Sequence, residues 1–451
     1  MSYEKNDIEV YLKVFFHLYI YRGNLDSMEI DKIIKEAELA EQEVAELTSA
    51  LVKFNTAHPE GYTDECVAYI SEYFNEQGIA NEIHAKDPRK PNIVAKLEGK
   101  SDRTILWLGH LDVVPEGKPE FWTYPAYSGT VKDGIVYGRG SSDMKGACAA
   151  AMTAARILSQ LSDPLPNNVE FWFSADEEIG GGEGARWLAE SGKLEGEVCV
   201  IGDGSGGGLE MPSLDLGCKG NLGTRLIARG RTAHGSTPFL GDNALRKLID
   251  VIPSVEKIGE FKLEYPEELK EAAKRRIEFV KATRKMTCEQ EKAADRLFDY
   301  PTVTCNILNA GVKRNVVPDY AEATFDIRLT PGSDPMKVKS QIEKLVREAN
   351  IPGVEVEVKA MSYAGYYESP YSPFAIQLAE TVEKVTGKKP FYKLLTGGTD
   401  GVSASRIAGI PSLGYGTSMT GQAHQPDECI TIENLVLGVK IYSAFPLIYR
   451  G

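Results

Sequence analysis

The sequence has seven cysteines and no C-x-x-C pair among them. An odd number without paired spacing excludes a disulfide framework and a thiolate zinc site. It reads as reduced thiols in a cytoplasmic protein. A surplus of basic residues is also missing: 51 Lys and Arg stand against 65 Asp and Glu, a formal net charge of −14. That balance argues against a nucleic-acid surface, which needs clustered Lys and Arg. It leaves room for a local basic pocket that takes an anionic substrate. No apolar run is long enough for a bilayer. The most apolar stretch, EVYLKVFFHLYIY from Glu9 to Tyr21, falls short of the ~20 residues a span requires, and Lys13 and His17 interrupt it. It lacks the cationic leader and small-residue cleavage site of a secretory signal. It reads as a docked helix or strand. Alternatively, residues 1–27 are an upstream extension and translation starts at Met28, where MEIDKIIKEAELAEQEVAELTSALVKF already reads as a complete amphipathic helix. Internal repeats and low-complexity segments are absent too.

What is present suits a globular enzyme. At 451 residues, 42% of them hydrophobic, the chain is long enough for two or three domains. Helical periodicity covers about 30–55 and 63–77, the second opening at the cap residue Thr63. Strand patterns follow in NEIHAK, NIVAKLEG, TILWLGH and GIVYGRG. Next come a small-residue helix over about 142–161, the strand NVEFWFSA, a helix from about Gly184 and the strand EVCVIGD. Alternating strands and helices, with near-continuous apolar strands, predict an α/β sheet covered by helices on both faces. The character changes near Lys219. GTRLIARG and TVTCNILNAG flank one long, highly charged helical stretch, YPEELKEAAKRRIEFVKATRKMTCEQEKAADRLF. AEATFDIRL, a helix at about 335–349 and VEVEVKA follow. Two helices among several alternating strands predict a separate α+β domain over about 219–360. From about 361 the first pattern returns: a helix at 373–386, FYKLLTG, a helix at 400–408, PSLGYG and a final helix from 431. One domain is thus expected inside another, with 1–218 and 361–451 flanking an insert of 219–360.

The polar residues that interrupt this pattern collect at strand ends. FWFSADEEIGGGEGARWL, Phe171 to Leu188, ends an apolar strand in three consecutive acids, Asp176, Glu177 and Glu178. Packed side by side, such carboxylates repel one another and resist desolvation. LGHLDVV places His110 and Asp112 two residues apart, on one face of a strand. GRGSSDMKG puts Asp143 in a glycine-flanked turn before a helix, VIGDGSG puts Asp203 after another strand, and QAHQPDE puts His424 in a loop before the last helix. Taken singly, each has an ordinary structural explanation as a cap, a turn or a solvated loop. They share one location, the ends of strands in an α/β sheet, where sites of such folds form. Two His and several carboxylates converging there suit a divalent-metal site. Bound dications would hold the carboxylates together and favour their ionised forms.

The motifs GHLDVVP, YGRGSSDMKG, ADEEIGG, GRTAHGSTPFLGDNA, NVVPD, GGTDG and AHQPDE occur in this order over about residues 40–451. In that set and order the chain resembles the co-catalytic zinc hydrolases that include acetylornithine deacetylase, succinyl-diaminopimelate desuccinylase, carboxypeptidase G and the cytosolic dipeptidases. The resemblance implies a zinc-peptidase-like mixed sheet with helices on both faces and an inserted α+β lid that makes a homodimer contact. It implies two divalent metal ions, zinc with cobalt or manganese as alternatives. His110 would bind one metal, oriented by Asp112, and Asp143 would bridge both. Asp203 would share a metal with His110, and His424 would share the other with Glu178. Glu177 would be the general base. His234 of RTAHGST would reach an active site, often that of a partner subunit, and help stabilise the oxyanion. Arg314, Asn315 and the backbone of Gly397, Gly398 and Thr399 resemble contacts to a substrate carboxylate. His17, His58 and His84 match no ligand position and read as structural.

The same resemblance implies hydrolysis of an amide bond in a small substrate. GGTDG and AHQPDE resemble the deacylase branch, which favours an N-acyl-amino-acid deacylase of the acetylornithine and desuccinylase type. Asp203 points the other way, because deacylases of the family usually carry Glu there and dipeptidases Asp. The helical insert over about 260–300 is also long for a deacylase lid. A dipeptidase or aminopeptidase is therefore the second reading. A non-catalytic metal-binding scaffold is the third, disfavoured because Glu177 and all five ligand positions are present.

Overall fold

A computed structural model describes residues 29–363 and 365–451, so the apolar stretch Glu9–Tyr21 and the rest of residues 1–27 lie outside the described residues. The fold is mixed α/β. It divides into two compact units: the first runs to Leu214 and takes in Tyr371–Pro390 and Ile407–Gly451. The second comprises Asp215–Pro370 and Phe391–Arg406. The expected insert of 219–360 lies inside the second unit, which adds short segments on either side of it and the stretch from Phe391.

The first unit is built on a mixed sheet whose strands run in the order β1 (Ala80–His84), β2 (Asn92–Leu97), β6 (Asn168–Ser174), β3 (Thr104–His110), β7 (Val198–Ile201), β15 (Ser412–Gly414). β2 is antiparallel to β1 and β6. β3 runs parallel to β6 and β7, and β7 parallel to β15. The three central strands are apolar because helices cover both faces. In them only Thr104, Asn168 and Glu170 escape burial. The covering helices are α1 (Glu41–Lys53), α2 (Asp64–Glu76), α3 (Gly146–Ser159), α4 (Ala185–Glu190), α9 (Pro373–Thr386) and α10 (Ile432–Ile448). α3 is made of small residues, GACAAAMTAARILS, and lies almost wholly buried against α10. Gly438 of α10 permits the close approach, since a Cβ there would sit 3.2 Å from that of Ala150.

α3 was expected from about residue 142 but begins at Gly146. Asp143 (φ −128°, ψ 92°) and Met144 leave helical geometry, and the N–H groups of Ser142 and Asp143 donate to the Glu428 carboxylate instead of entering a helix. The helix expected at 400–408 is only a short wound turn, Ser403–Ile407, that stops before Gly409 in the left-handed region (φ 75°). β3, β6 and β7 end together: His110 lies opposite Ser174, and Leu108 opposite Ile201. The residues that follow each strand therefore emerge at one edge of the sheet. A small antiparallel sheet of β4 (Thr130–Lys132), β5 (Ile135–Tyr137) and β16 (Cys429–Thr431) anchors the loop after His424. Among the described residues no helix is long and apolar enough to cross a membrane.

The second unit holds a four-stranded antiparallel sheet, β10 (Thr302–Ala310), β11 (Tyr320–Leu329), β9 (Gly220–Arg229), β12 (Val354–Tyr363), in that spatial order. Burial alternates along β11, and Ala323, Phe325 and Ile327 pack under helices α5 (Ala244–Glu256) and α8 (Pro335–Ala349). Two helices were expected in this region and four are found, the others being α6 (Lys270–Thr283) and α7 (Cys288–Asp295). α5 escaped notice because its β-branched residues and Pro253 argue against a helix. Burial of Leu248, Val251 and Val255 at helical spacing overrides that preference. The single charged stretch breaks after α6 because Thr287 starts α7 with a capping box to Gln290. β8 (Ser213–Cys218), β13 (Tyr366–Tyr367) and β14 (Phe391–Leu395) complete the described strands.

Candidate metal centre

Every sequence-predicted metal ligand lies in the first unit, at the edge where β3, β6 and β7 end. His110 closes β3 and is 1% exposed. Its Nδ1 lies 3.0 Å from the backbone carbonyl of Asp112 and 3.5 Å from the carboxylate oxygen Oδ1. The expected orienting contact from Asp112 is therefore made first by its carbonyl. The Asp112 carboxylate does something else. Oδ1 accepts the N–H of Glu177 and Oδ2 that of Glu178, each at 3.0 Å. Oδ2 also takes His58 Nε2 at 2.8 Å. Burial alone would raise the Asp112 carboxyl, but the hydrogen bonds from His110 and His58 hold it well below the usual carboxylate range.

The three consecutive acids do not pack side by side. Asp176 adopts a left-handed backbone (φ 51°), which Asp tolerates better than most residues. Its carboxylate turns back to accept the N–H of Glu183 at 3.1 Å. Glu177 and Glu178 begin the turn Glu177–Ile179, their N–H groups tied to Asp112. One apolar strand thus delivers a backbone cap, a carboxylate beside the ligands and a ligand candidate in succession.

Two groups of side chains place ligand atoms within 4.8 Å of one another: His110, Asp143 and Asp203, then Asp143, Glu178 and His424. Asp143 belongs to both. His424 also has a left-handed backbone (φ 65°), and its Nε2 lies 3.2 Å from Glu178 Oε1 and 3.3 Å from Asp143 Oδ2. Its loop is pinned at the far end by Asp427, which accepts from Thr123 N–H and Oγ1 at 2.6 and 2.8 Å. Glu428, wholly buried, pairs with Arg139 and accepts the N–H groups of Ser142 and Asp143 at 2.9 Å. The loop that carries His424 therefore also fixes the turn that carries Asp143.

The donor set fits divalent cations. Among the described residues His110 Nε2 is buried without a hydrogen-bond partner, 3.4 Å from Asp143 Oδ1. Buried polar atoms are rarely left this way. Burial, then the charge of Asp143, pushes the Asp203 carboxyl up to about 8. Hydrogen bonds to Asp143 and Glu178 push His424 up to about 10. A bound dication would favour the ionised forms of these carboxylates and displace protons from the cluster.

The remaining predicted residues lie in the second unit. His234 is exposed, its Nδ1 2.7 Å from Ser236 Oγ. Its turn pairs with the Arg314–Val316 turn through a bridge to Val316 and a 2.8 Å bond from Gly235 N–H to the Asn315 carbonyl. Arg314, Gly397 and Gly398 are exposed and Thr399 is buried. Sequence reasoning missed two contributors. His58 read as structural, and nothing in NTAHPEG announces a contact made 54 positions away. Glu428 stood in AHQPDE without a role, although an acid four residues after a ligand candidate is a usable signal.

The sequence matches peptidase family M20/M25/M40 over residues 106–447. A Staphylococcus aureus relative named "Probable succinyl-diaminopimelate desuccinylase" is 26% identical over 414 residues, covering 90% of this chain and 98% of its own. The solved M20 family metallo-carboxypeptidase Sso-CP2 of Sulfolobus solfataricus superposes with a TM-score of 0.76 at 25% identity, covering 90% of this chain and 99% of that one. The di-peptidase Dug1p of Saccharomyces cerevisiae has the same fold at 17% identity, with a TM-score of 0.72 and coverage of 94% and 98%. The chain belongs to the M20/M25/M40 peptidase family. It is a metal-dependent hydrolase acting on small amides or peptides.

Proposed function

We propose that this chain is a cytoplasmic N-acyl-amino-acid deacylase that holds two zinc ions, one by His110, Asp143 and Asp203 and one by Asp143, Glu178 and His424. The observation that carries the reaction is that the two ligand groups share Asp143 while Glu177, next to the ligand candidate Glu178, belongs to neither. The likeness to a desuccinylase over nearly the whole chain supports the substrate class. Bound ions supply a water of lowered pKa and a Lewis acid for the amide carbonyl. Glu177 takes the proton of the attacking water and returns it to the leaving nitrogen. Asp112 holds the N–H of Glu177 and of Glu178 in one carboxylate, so base and ligand keep a fixed spacing. His234 donates to the developing oxyanion. Arg314, Asn315 and the backbone of 397–399 seat the carboxylate of the amino-acid moiety.

The second unit is the lid and the dimer contact in this reading. Its edge strand β10, TVTCNILNA, has no charged residue and exposes Ile307 and Leu308 at 53% and 43%. Uncharged exposed edges invite pairing, and a second copy of this chain satisfies that edge. A dipeptidase is the second reading, favoured by Asp203. Its substrate carries a free α-ammonium group, which needs an acidic or carbonyl partner. Zinc- or cobalt-loaded protein should turn over N-acetyl and N-succinyl amino acids and leave unblocked dipeptides intact. Turnover confined to the dipeptides would replace the first reading with the second.

A further inference from the structure

We propose that His58 is a positioning residue of the metal centre, acting through Asp112 on His110 and on the Glu177–Glu178 turn. The inference rests on the reading of His110 and Glu178 as ligands and goes beyond it, because His58 lies outside every ligand-bearing segment. His58 is 8% exposed and Asp112 wholly buried, with 2.8 Å between Nε2 and Oδ2. The segment before His58 is laid along the chain that follows β3. Thr56 Oγ1 donates to the Leu111 carbonyl at 2.7 Å. Val113 N–H donates to the Thr56 carbonyl at 3.2 Å, and His58 N–H to the Val113 carbonyl at 3.3 Å. The imidazole is closed from the other side by Gly61, where a Cβ would come within 2.4 Å of His58 Cε1. The ring is therefore fixed in position before any metal arrives.

Its proton is fixed too. Among the described residues Nδ1 is buried with no hydrogen-bond partner. A proton there would be an unsatisfied buried donor, while a bare Nε2 would face a carboxylate oxygen; both are costly. The proton sits on Nε2 and is donated to Asp112. Asp112 stands between His110 and the Glu177–Glu178 turn, and rotation of its carboxyl would release the turn's N–H groups. The two backbone donors belong to the turn that has to be placed, so they cannot serve as its external reference. His58 supplies that reference. Asp112 is the partner one contact removed from His110, the kind whose loss costs roughly 10- to 100-fold in metal affinity or activity. His58 acts one contact further out, so the effect of its loss is bounded by that figure.

The test uses the full chain, with zinc affinity measured by chelator competition and the visible spectrum of the cobalt-substituted protein recorded beside it. His58→Leu fills the space without the donor. His58→Gln returns an amide N–H near the Nε2 position. His58→Leu should bind zinc measurably more weakly, by up to roughly the 10-fold at the lower end of the cost of losing a ligand's direct partner, alter the cobalt spectrum and lower kcat with little change in KM. His58→Gln should recover most of the affinity and the wild-type spectrum. Equal zinc affinity and identical cobalt spectra in wild type and His58→Leu would overturn the proposal while leaving the metal reading intact. A His58→Gln protein as weak as His58→Leu, with unchanged thermal unfolding, would also overturn it by showing that the donor is immaterial. Wild-type protein that takes up neither ion would remove the metal reading itself, and the proposal with it.

Discussion

The two units differ in where most of their candidate functional residues stand. In the first, His110, Asp112 and Glu428 are wholly or nearly buried, each tied to named partners, and their protonation is displaced from ordinary values. In the second, His234, Arg314, Asn315, Gly397 and Gly398 stand exposed on turns. Groups that must meet a small, invariant ion benefit from a site that is formed in advance, because reorganisation at the moment of reaction is avoided. Groups that must meet a substrate benefit from access. On the proposed reading the buried groups set the ion site and the exposed ones meet the substrate, with the exposed ligand candidate His424 and the buried Thr399 as exceptions.

The largest effect should come from the first unit. Glu177→Ala removes the proton carrier without touching either ligand group, so kcat should fall by roughly 10²- to 10⁴-fold. Two equivalents of bound metal should remain by elemental analysis. Retained turnover, or lost metal, would break the division of labour between Glu177 and Glu178. The same variant probes the second unit. If His234 serves a partner's site, mixing Glu177→Ala with His234→Ala protein should restore activity through hybrid dimers, whereas either alone stays inactive. No restoration would place His234 in its own subunit's site or in none.

Arg314→Ala should act more gently and on a different parameter. An exposed guanidinium that seats a substrate carboxylate contributes binding common to ground and transition states. Its loss should raise KM by roughly 10- to 100-fold and leave kcat near wild type. Neutral amide analogues of the substrate should be hydrolysed equally by both proteins. A fall in kcat with constant KM would mean that the second unit takes part in the chemistry, and the contrast drawn above would fail.

Much of this is legible in the amino-acid sequence. The apolar strands of the first unit and the acids at their ends follow from burial on both faces, and that pattern is local in sequence. The ligand candidates could be named because each sits beside a glycine-rich turn or a strand end. What escaped was what depends on distant partners. The use of the Asp112 carboxylate required His58 and the Glu177 and Glu178 N–H groups to be in place. The late start of α3 required the Glu428 carboxylate to claim two N–H groups from 286 and 285 positions away. α5 was hidden by Pro253 and its β-branched residues, and only the buried face of Leu248, Val251 and Val255 reveals it.

The last expected effect is on stability, not turnover, and lies in the second unit at a buried lysine. Lys219 is 1% exposed, donates from Nζ to the Leu297 carbonyl at 2.8 Å and lies over the ring of Phe298. Burial pushes its amine down to about 7, with Arg328 adding to the effect. In the first unit a bound cation would relieve the conflict among the clustered acids; here burial instead lowers the lysine's pKa. The unfolded chain keeps that proton up to about pH 10.4. Between about 7 and 10.4 the unfolded chain therefore binds more protons than the folded one, and stability rises with pH by up to about 1.4 kcal/mol per pH unit. The contribution is fully present above 10.4 and is lost as pH falls through about 7. Equilibrium denaturation of wild type and Lys219→Met across this window checks it, because the methionine side chain has no proton to exchange. The variant's stability should rise less steeply than that of wild type, and the gap between the curves should narrow toward alkaline pH. Parallel curves would mean that Lys219 stays charged in the folded chain. The Leu297 carbonyl and the Phe298 ring would then support a buried cation alone.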